Sequence, residues 1–452
     1  NLAETEQVVP VVQIIRKTLG IKDTNITFEN RITEEDIKGA KHLIYYGKLT
    51  YTPKGCQNCG VKNSSHADIV KNGTKASTIK LTQIGFKPVL LKLKKQRFLC
   101  KHCSSTFIAK TNLVNRHCFI SNHIKAAISM ELREEQSMTL IAKHMNVSTS
   151  TVIRQLIQVG EGLRPKYNSL PEHLCIDEFK SVKNVSGAMS FLFLDAVTHK
   201  LMDIVENRQR HYLFDYFMRY SLKARRQVKT VTMDMYSPYI SLVEACFPNA
   251  EIIIDRFHIV QHLNRALNQV RIQTMKKIRN TSPTDYRKLK KLWKMILIDE
   301  MDLNHTDYFT HRLFGGMVTE YIMVQYLVAL SPELLATYIL VNRLKWALKN
   351  RDFERFTGIL VESKKQRYPR KVRTVLQTLE RYIEPISNAF TYSLSNGPIE
   401  GVNNKIKNIK RSGYGYRNFE HLRYRALISF TLTKNNRKPK PLYFKKQTGK
   451  VS

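Results

Sequence analysis

The sequence predicts an α/β core, a mixed sheet flanked by helices, which carries an all-α insertion and follows two small N-terminal modules. Three observations predict it. Between residues 173 and 254, apolar runs of strand length alternate with helical text. From 280 to 385 the text is helical and strongly basic, without a strand signal. Upstream stand two Cys-x-x-Cys knuckles, then two short amphipathic stretches joined by a tight turn.

Composition bounds the partners. The 452 residues suit about three domains at roughly 150 residues each. With 42% hydrophobic and 10% aromatic residues the chain can bury real cores, which excludes wholesale disorder. Against 37 Asp+Glu stand 74 Lys+Arg, a net charge of +37, and polyanions are the natural partners of such a surplus. An anionic membrane is the rival partner. However, the most apolar run, Tyr321–Leu330, is broken by Gln325 and falls short of the roughly 20 residues a spanning helix needs. Asn1–Gln7 carries two Glu and no apolar block, so no secretory leader is expected. The expectation is a cytoplasmic, nucleic-acid-facing protein.

Residues 1–45 read as helical text of no clear role, and residues 46–115 hold the knuckles Cys56-x-x-Cys59 and Cys100-x-x-Cys103. Seven cysteines, an odd count in a long chain, do not suit a disulfide framework. A two-residue spacer instead lets both thiolates of each knuckle face one tetrahedral Zn²⁺. Strand-like text at Thr78–Ile84 and Val89–Leu93 completes the reading of a zinc ribbon, and Cys118, Cys175 and Cys246 read as core thiols. Residues 116–165 open with a helix at Ile120–Leu132. Next, Leu140, Ile141, Ala142 and Met145 form the face of a short helix, Asn146-Val147 turns, and Ser148 caps a second helix with Val152, Ile153 and Leu156 inward. That is helix-turn-helix geometry, with Thr149, Ser150, Thr151 and Arg154 near the front of the recognition helix.

The core's first part, 166–279, places His173–Ile176 as a strand ending at Asp177, then a hairpin of Ala188–Leu194 and Leu201–Val205. Helix Tyr212–Tyr220, strand Val228–Met233 ending at Asp234, helix Pro238–Phe247, strand Glu251–Ile254 ending at Asp255 and helix Phe257–Ile278 follow. This order matches an RNase H-like core. The insertion spans 280–390, the core resumes over 391–433 with a loop and a helix, and 434–452 is a basic tail.

Two-metal phosphoryl transfer needs a few carboxylates converging on a pair of Mg²⁺ ions. Asp177 and Asp234 each close an apolar strand, where a carboxylate is costly without a cation. In the expected order their strands are neighbours, and Glu400, at the start of the last helix, is placed to supply the third ligand. Beyond it, Asn403, Asn404, Lys405, Lys407, Lys410 and Arg411 offer polar and cationic groups for a phosphate backbone. Tyr414, Tyr416 and Arg417 set aromatics beside a cation. Asp255 and His258 form a second tier, for which an ion pair and a satisfied core histidine are equally good readings. Glu178 alternates away from Asp177 and is not expected to be a ligand.

The knuckles, Ile176-Asp-Glu-Phe179, Asp234-Met-Tyr-Ser-Pro-Tyr239, Asp255-Arg-Phe-His258, Ser395–Lys407, Ile409-Lys-Arg411 and Tyr414-Gly-Tyr-Arg417 together resemble the DDE transposases of the ISL-three family of bacterial insertion sequences. The resemblance runs from the ribbon to about residue 430. It implies recognition of the element's inverted-repeat DNA ends, Mg²⁺-dependent cleavage (with Mn²⁺ as a substitute for Mg²⁺) and strand transfer to target DNA. It further implies an Asp177–Asp234–Glu400 triad and a homodimer or higher assembly on DNA. Two alternatives stay open: a zinc and helix-turn-helix regulator with a silent core, and a structure-selective nuclease.

Overall fold

A computed structural model describes residues 11–431 except 65, 66 and 186. The expected basic tail, and the Asn1–Gln7 segment read for a leader, lie outside the described residues. Two compact units emerge, residues 11–163 with 408–431 and residues 164–407.

The first unit begins with α1 (Val11–Thr18) and a five-stranded sheet. Its strands are β1 (Ile26–Ile37), β2 (Ala40–Leu49), β3 (Ile69–Ile84), β4 (Lys87–Cys100) and β5 (Thr106–Ile108). They run in the order β1-β2-β4-β3, with β5 on β4. The described part of the expected 1–45 helical segment, residues 11–45, is therefore not all helical: after α1 it supplies β1 and the start of β2, strands of the ribbon's own sheet. The turn between them, Lys38-Gly39, has φ of 57° and 80°, the left-handed pair that joins hairpin strands and that glycine takes without strain. Ile26, Ile44, Ile79, Leu91, Leu93 and Phe98 of these strands are almost wholly buried. Three helices follow, α2 (Asn122–Glu131), α3 (Met138–His144) and α4 (Thr149–Glu161). Ser121, Ser137 and Ser148 each cap one by accepting a backbone N–H. Ile128, Ile141, Val152 and Leu156 form their fully buried seam.

The second unit is built on β6 (His173–Lys180), β7 (Met189–Asp195), β8 (Leu201–Val205), α5 (Arg210–Met218), α6 (Leu222–Arg226), β9 (Thr230–Met233), α7 (Ser237–Cys246), β10 (Glu251–Ile254) and α8 (Arg256–Lys277). The sheet order is β10-β9-β6-β7-β8. β6, β9 and β10 run parallel, and β7 and β8 complete an antiparallel meander. The insertion holds α9 (Pro283–Lys291), α10 (Trp293–Ile296), β11 (Phe309–His311), β12 (Gly316–Val318), α11 (Glu320–Ala329), α12 (Pro332–Lys349), α13 (Phe353–Ser363), α14 (Arg370–Arg381) and α15 (Ile383–Thr391). It is not all-α: β11 and β12 pair as a short hairpin. Nor is it a separate body, because Tyr338, Leu344, Phe356 and Leu379 share one apolar core with Phe191, Val231 and Ile254 of the sheet. α15 covers the β10 edge, where Asn388 Nδ2 donates to the Ile252 carbonyl at 2.9 Å, and so blocks further strand pairing.

The last elements are α16 (Gly397–Ser412) and α17 (Phe419–Thr431). The segment expected as one resumed stretch of core, 391–433, is shared between the units: α17 packs on α4 in the first. Tyr424 and Ile428 enter the seam of α2–α4, Arg425 Nη2 donates to the Gln136 carbonyl at 2.8 Å, and Ser429 Oγ donates to the Arg133 carbonyl at 2.8 Å. Tyr424 fits because residue 160 is glycine: a Cβ there would stand 2.2 Å from its Cγ. In an open helix Gly→Ala stabilises by up to about 1 kcal/mol. Here Gly160→Ala should instead cost about 1–3 kcal/mol through overpacking. A drop in the unfolding temperature of the first unit checks this, and a rise would show that α17 does not seat on α4.

Candidate active site and zinc centre

Two sites stand out, one in each unit. In the first, Cys56 and Cys59 precede β3, Cys100 ends β4 and Cys103 stands in the turn just beyond, so the β3–β4 hairpin carries the second knuckle back to the first. All four Sγ atoms lie within 4.8 Å of one another, with Cys56–Cys103 at 3.7 Å and Cys59–Cys100 at 3.9 Å. Tetrahedral Zn–S bonds of about 2.3 Å require S···S separations of about 3.8 Å, so the residues fit a structural Zn²⁺. Ser105 Oγ lies 3.0 Å from Cys103 Sγ and lowers that thiol to about 6, favouring the thiolate a metal needs. Cys175 and Cys246 are buried thiols, whereas Cys118 is only half-buried.

The second site lies toward the C-terminal ends of the parallel strands. His173, Leu174 and Cys175 of β6 pair with Thr230, Val231 and Thr232 of β9, a register that carries Asp177 level with Asp234. Asp177 does not end its strand, as the apolar run suggested; β6 continues to Lys180 along β7. Its side chain is pushed up to about 7 by burial and by the charge of Asp234, against the Glu178 N–H and His258. Glu178 points elsewhere, as alternation requires, and is occupied by Arg208 Nη1 at 2.6 Å and the Tyr239 hydroxyl at 2.9 Å.

Helix α16 meets this pair through one stripe. Asn396, Glu400 and Asn403 recur at i, i+4 and i+7, so they share a face. Asn403 Nδ2 donates to Asp177 Oδ2 at 2.6 Å, and Asn396 Nδ2 donates to Asp234 Oδ1 at 3.1 Å. The Asn396 backbone N–H donates to Asp255 Oδ1 at 3.3 Å, while Cys175 Sγ donates to the Ser395 carbonyl at 3.5 Å. His258, in the first turn of α8, brings Nε2 to 2.6 Å from Asp234 Oδ1. Burial opposes its protonation, but the hydrogen bond and charge of Asp234 outweigh it and raise its pKa. Burial also raises Asp255. Glu400 lies between the two asparagines on the same face, with an exposed side chain, although Asp177, Asp234 and Glu400 are not drawn to within 4.8 Å of one another.

The donor set is hard oxygen throughout, the kind Mg²⁺ takes. Oδ1 of Asn396 and Oδ1 of Asn403 are buried beside the carboxylates, with no hydrogen-bond partner among the described residues. The site therefore fits a divalent cation.

Several residues expected on a DNA-facing surface are elsewhere. Asn403 holds Asp177, Tyr416 is buried against Gly413, and Thr151 is buried at the Ser148 cap, with Arg154 Nη2 donating to its hydroxyl at 3.1 Å. Ser150, Arg154, Asn404, Lys407, Arg411, Tyr414 and Arg417 are exposed; Thr149, Lys405 and Lys410 are half-buried. Sequence reading missed Asn396 and Asn403 as carboxylate partners. The signal was present in their spacing around Glu400.

A family model described as "Transposase", of the ISL3 DDE type, matches residues 174–426, and one described as "zinc-finger of transposase IS204/IS1001/IS1096/IS1165" matches residues 52–103. The chain belongs to the ISL3 family of DDE transposases. It is 24% identical over 397 residues, 86% of this chain and 91% of the relative, to the Bordetella parapertussis "Transposase for insertion sequence element IS1001". A shorter match, 36% identical over 122 residues, links 27% of this chain to 38% of a Lactococcus lactis subsp. lactis protein named "ATP-dependent protease".

Two outcomes follow. Purified protein should carry one zinc per chain, and Cys103→Ser should lose it and lower the unfolding temperature of the first unit, because structural zinc contributes folding energy. Metal analysis and thermal melts check this, and zinc-free wild type would contradict it. The second outcome concerns pH. Asp177, raised from the unfolded value of about 3.9 to about 7, binds its proton more tightly when folded. Its ionisation therefore costs stability as pH rises from about 4 through 7, and the raised His258 acts in the same direction. In EDTA the second unit should melt several degrees lower at pH 8 than at pH 5, and Asp177→Asn should flatten that slope. A slope unchanged by the mutation would contradict the assignment.

Proposed function

We propose that this transposase binds the terminal inverted repeats of its insertion sequence, cleaves the DNA ends with Mg²⁺, and transfers the freed 3′-hydroxyls to target DNA. One observation carries the reading: Asp177 and Asp234 stand level on neighbouring parallel strands, tied by Asn403 and Asn396 to the helix that bears Glu400. The sheet order, three antiparallel strands followed by two parallel ones reached through helices, supports an RNase H-like core.

Asp177, Asp234 and Glu400 would hold two divalent cations, which supply activation of the attacking water and stabilisation of the leaving oxygen. The chain's own part is orientation. Asn403 fixes Asp177, Asn396 and His258 fix Asp234, and the cap of α8 at Asp255 anchors residue 396. In the first unit, α3 and α4 act as a helix-turn-helix, presenting Ser150 and Arg154 to the DNA ends. Exposed Asn404, Lys407, Arg411, Tyr414 and Arg417 hold the phosphate backbone. Action in the cytoplasm as a dimer or larger assembly on DNA belongs to the same reading.

The test is cleavage of a labelled duplex carrying the inverted repeat that flanks this gene. Wild type should nick at the repeat boundary only with Mg²⁺ or Mn²⁺. Asp177→Asn and Glu400→Gln should each lose the nick by at least about 10²–10³-fold while still binding. Binding without nicking by any of these proteins would favour the regulator, and equal cutting of random or branched duplex the nuclease.

A further inference from the structure

The first unit carries a cationic groove that the proposed site does not use. It encloses about 690 Å³ between the β3–β4–β5 face of the sheet and the loop at residues 109–119. Lys75, Lys95, Arg97, Lys110 and Arg116 line it together with Phe119, and no Asp or Glu does. Phe119 is 61% exposed, a large apolar ring left at the groove's wall.

The arrangement runs against ordinary sheet design. Lys75 of β3 and Lys95 of β4 are direct partners across the antiparallel ladder, so two like charges face each other on one side of the sheet. Burial and the charge of Lys75 both push the Lys95 ammonium down. Lys95 and Arg97, two residues apart on β4, share that side at about 6.8 Å along the strand. Among the described residues no acidic side chain pairs with any of the five cations. Elsewhere in the same sheet Lys87 and Lys92 do pair, with Glu34 and Glu35. A row of unneutralised cations at strand spacing, concave and flanked by an exposed ring, fits a linear polyanion better than a flat surface or a single small anion.

We propose that this groove binds a DNA phosphodiester backbone, a contact separate from the α3–α4 helices, with Lys75, Lys95, Arg97 and Arg116 on the phosphates and Phe119 against sugar or base. The proposal rests on the DNA-end-binding reading above and adds a sequence-independent grip to it. The geometry trades some stability of the sheet for that grip.

The test compares binding of the inverted-repeat duplex and of a random duplex across a series of salt concentrations. The proteins are zinc-loaded wild type, the Lys75→Gln/Lys95→Gln double variant, Arg116→Gln and Arg154→Ala. The double variant should bind both duplexes more weakly by the same factor. Its slope of log affinity against log salt should fall by about 2, since each lost phosphate contact removes about 0.9. Its unfolding temperature should stay level or rise, because the opposed charges are gone. Arg116→Gln, in the loop and outside the ladder, should lower the slope by about 1 and guards against misfolding of the double variant. Unchanged slopes in both groove variants overturn the proposal, as does an anionic phospholipid vesicle being the one ligand they lose. Failure of the underlying reading looks different: wild type would not prefer the repeat, and Arg154→Ala would change nothing. The groove variants would still lower the salt slope on random duplex.

Discussion

The structure of the second unit depends on the grip of α16 on two carboxylates. Asn403 and Asn396 reach back across 226 and 162 residues to Asp177 and Asp234, so the last helix of this unit docks on its first strand and on β9. Two carboxylates brought level by strand register repel each other, and burial of Asp177 adds to the cost. Amide N–H donors and the His258 ring relieve part of that cost in the protein itself. Charge-assisted hydrogen bonds of this kind are among the stronger ones, and they fix orientation as well as energy. The same contacts carry Glu400 to its place on the stripe, without requiring that it touch the aspartates.

The first unit is held by a different constraint. Its sheet gathers four thiols at one end, and the separations already match a tetrahedral ion. Its helices depend on α17, a segment from the far end of the chain, for which Gly160 leaves room. Residues 397–407 of α16 belong to the second unit, and the rest of that helix leads into the first.

Much of this was legible in the sequence, for local reasons. Knuckle spacing, serine caps, the helical periods of α2–α4 and the strand-length apolar runs are each written within a dozen residues. Asp177 and Asp234 could be read because an apolar run leads directly into each. What escaped notice was non-local or ambiguous. The strand β1 has an exposed, mostly polar outer half, so its text lacks the alternation of a half-buried strand. Asn403 and Tyr416 are polar or amphipathic residues in a basic stretch, and their text is the same whether they face DNA or the interior. Thr151 is buried with its hydroxyl between Ser148 Oγ and the Arg154 guanidinium, a pairing that its text alone does not show. The return of α17 to the helical module likewise follows from shape complementarity at Gly160, which no single segment reveals.

Under the proposed function, Asp177, Asp234 and Glu400 would hold the divalent metal together. Fe²⁺ loaded in place of Mg²⁺, with ascorbate and peroxide, cuts a polypeptide beside the bound metal, and mapping those cuts tests the claim most directly. Mg²⁺-competable cuts are expected near residues 177, 234 and 400, all abolished by Asp234→Asn. Cuts at 177 and 234 without any at 400, or cuts indifferent to that substitution, would contradict it.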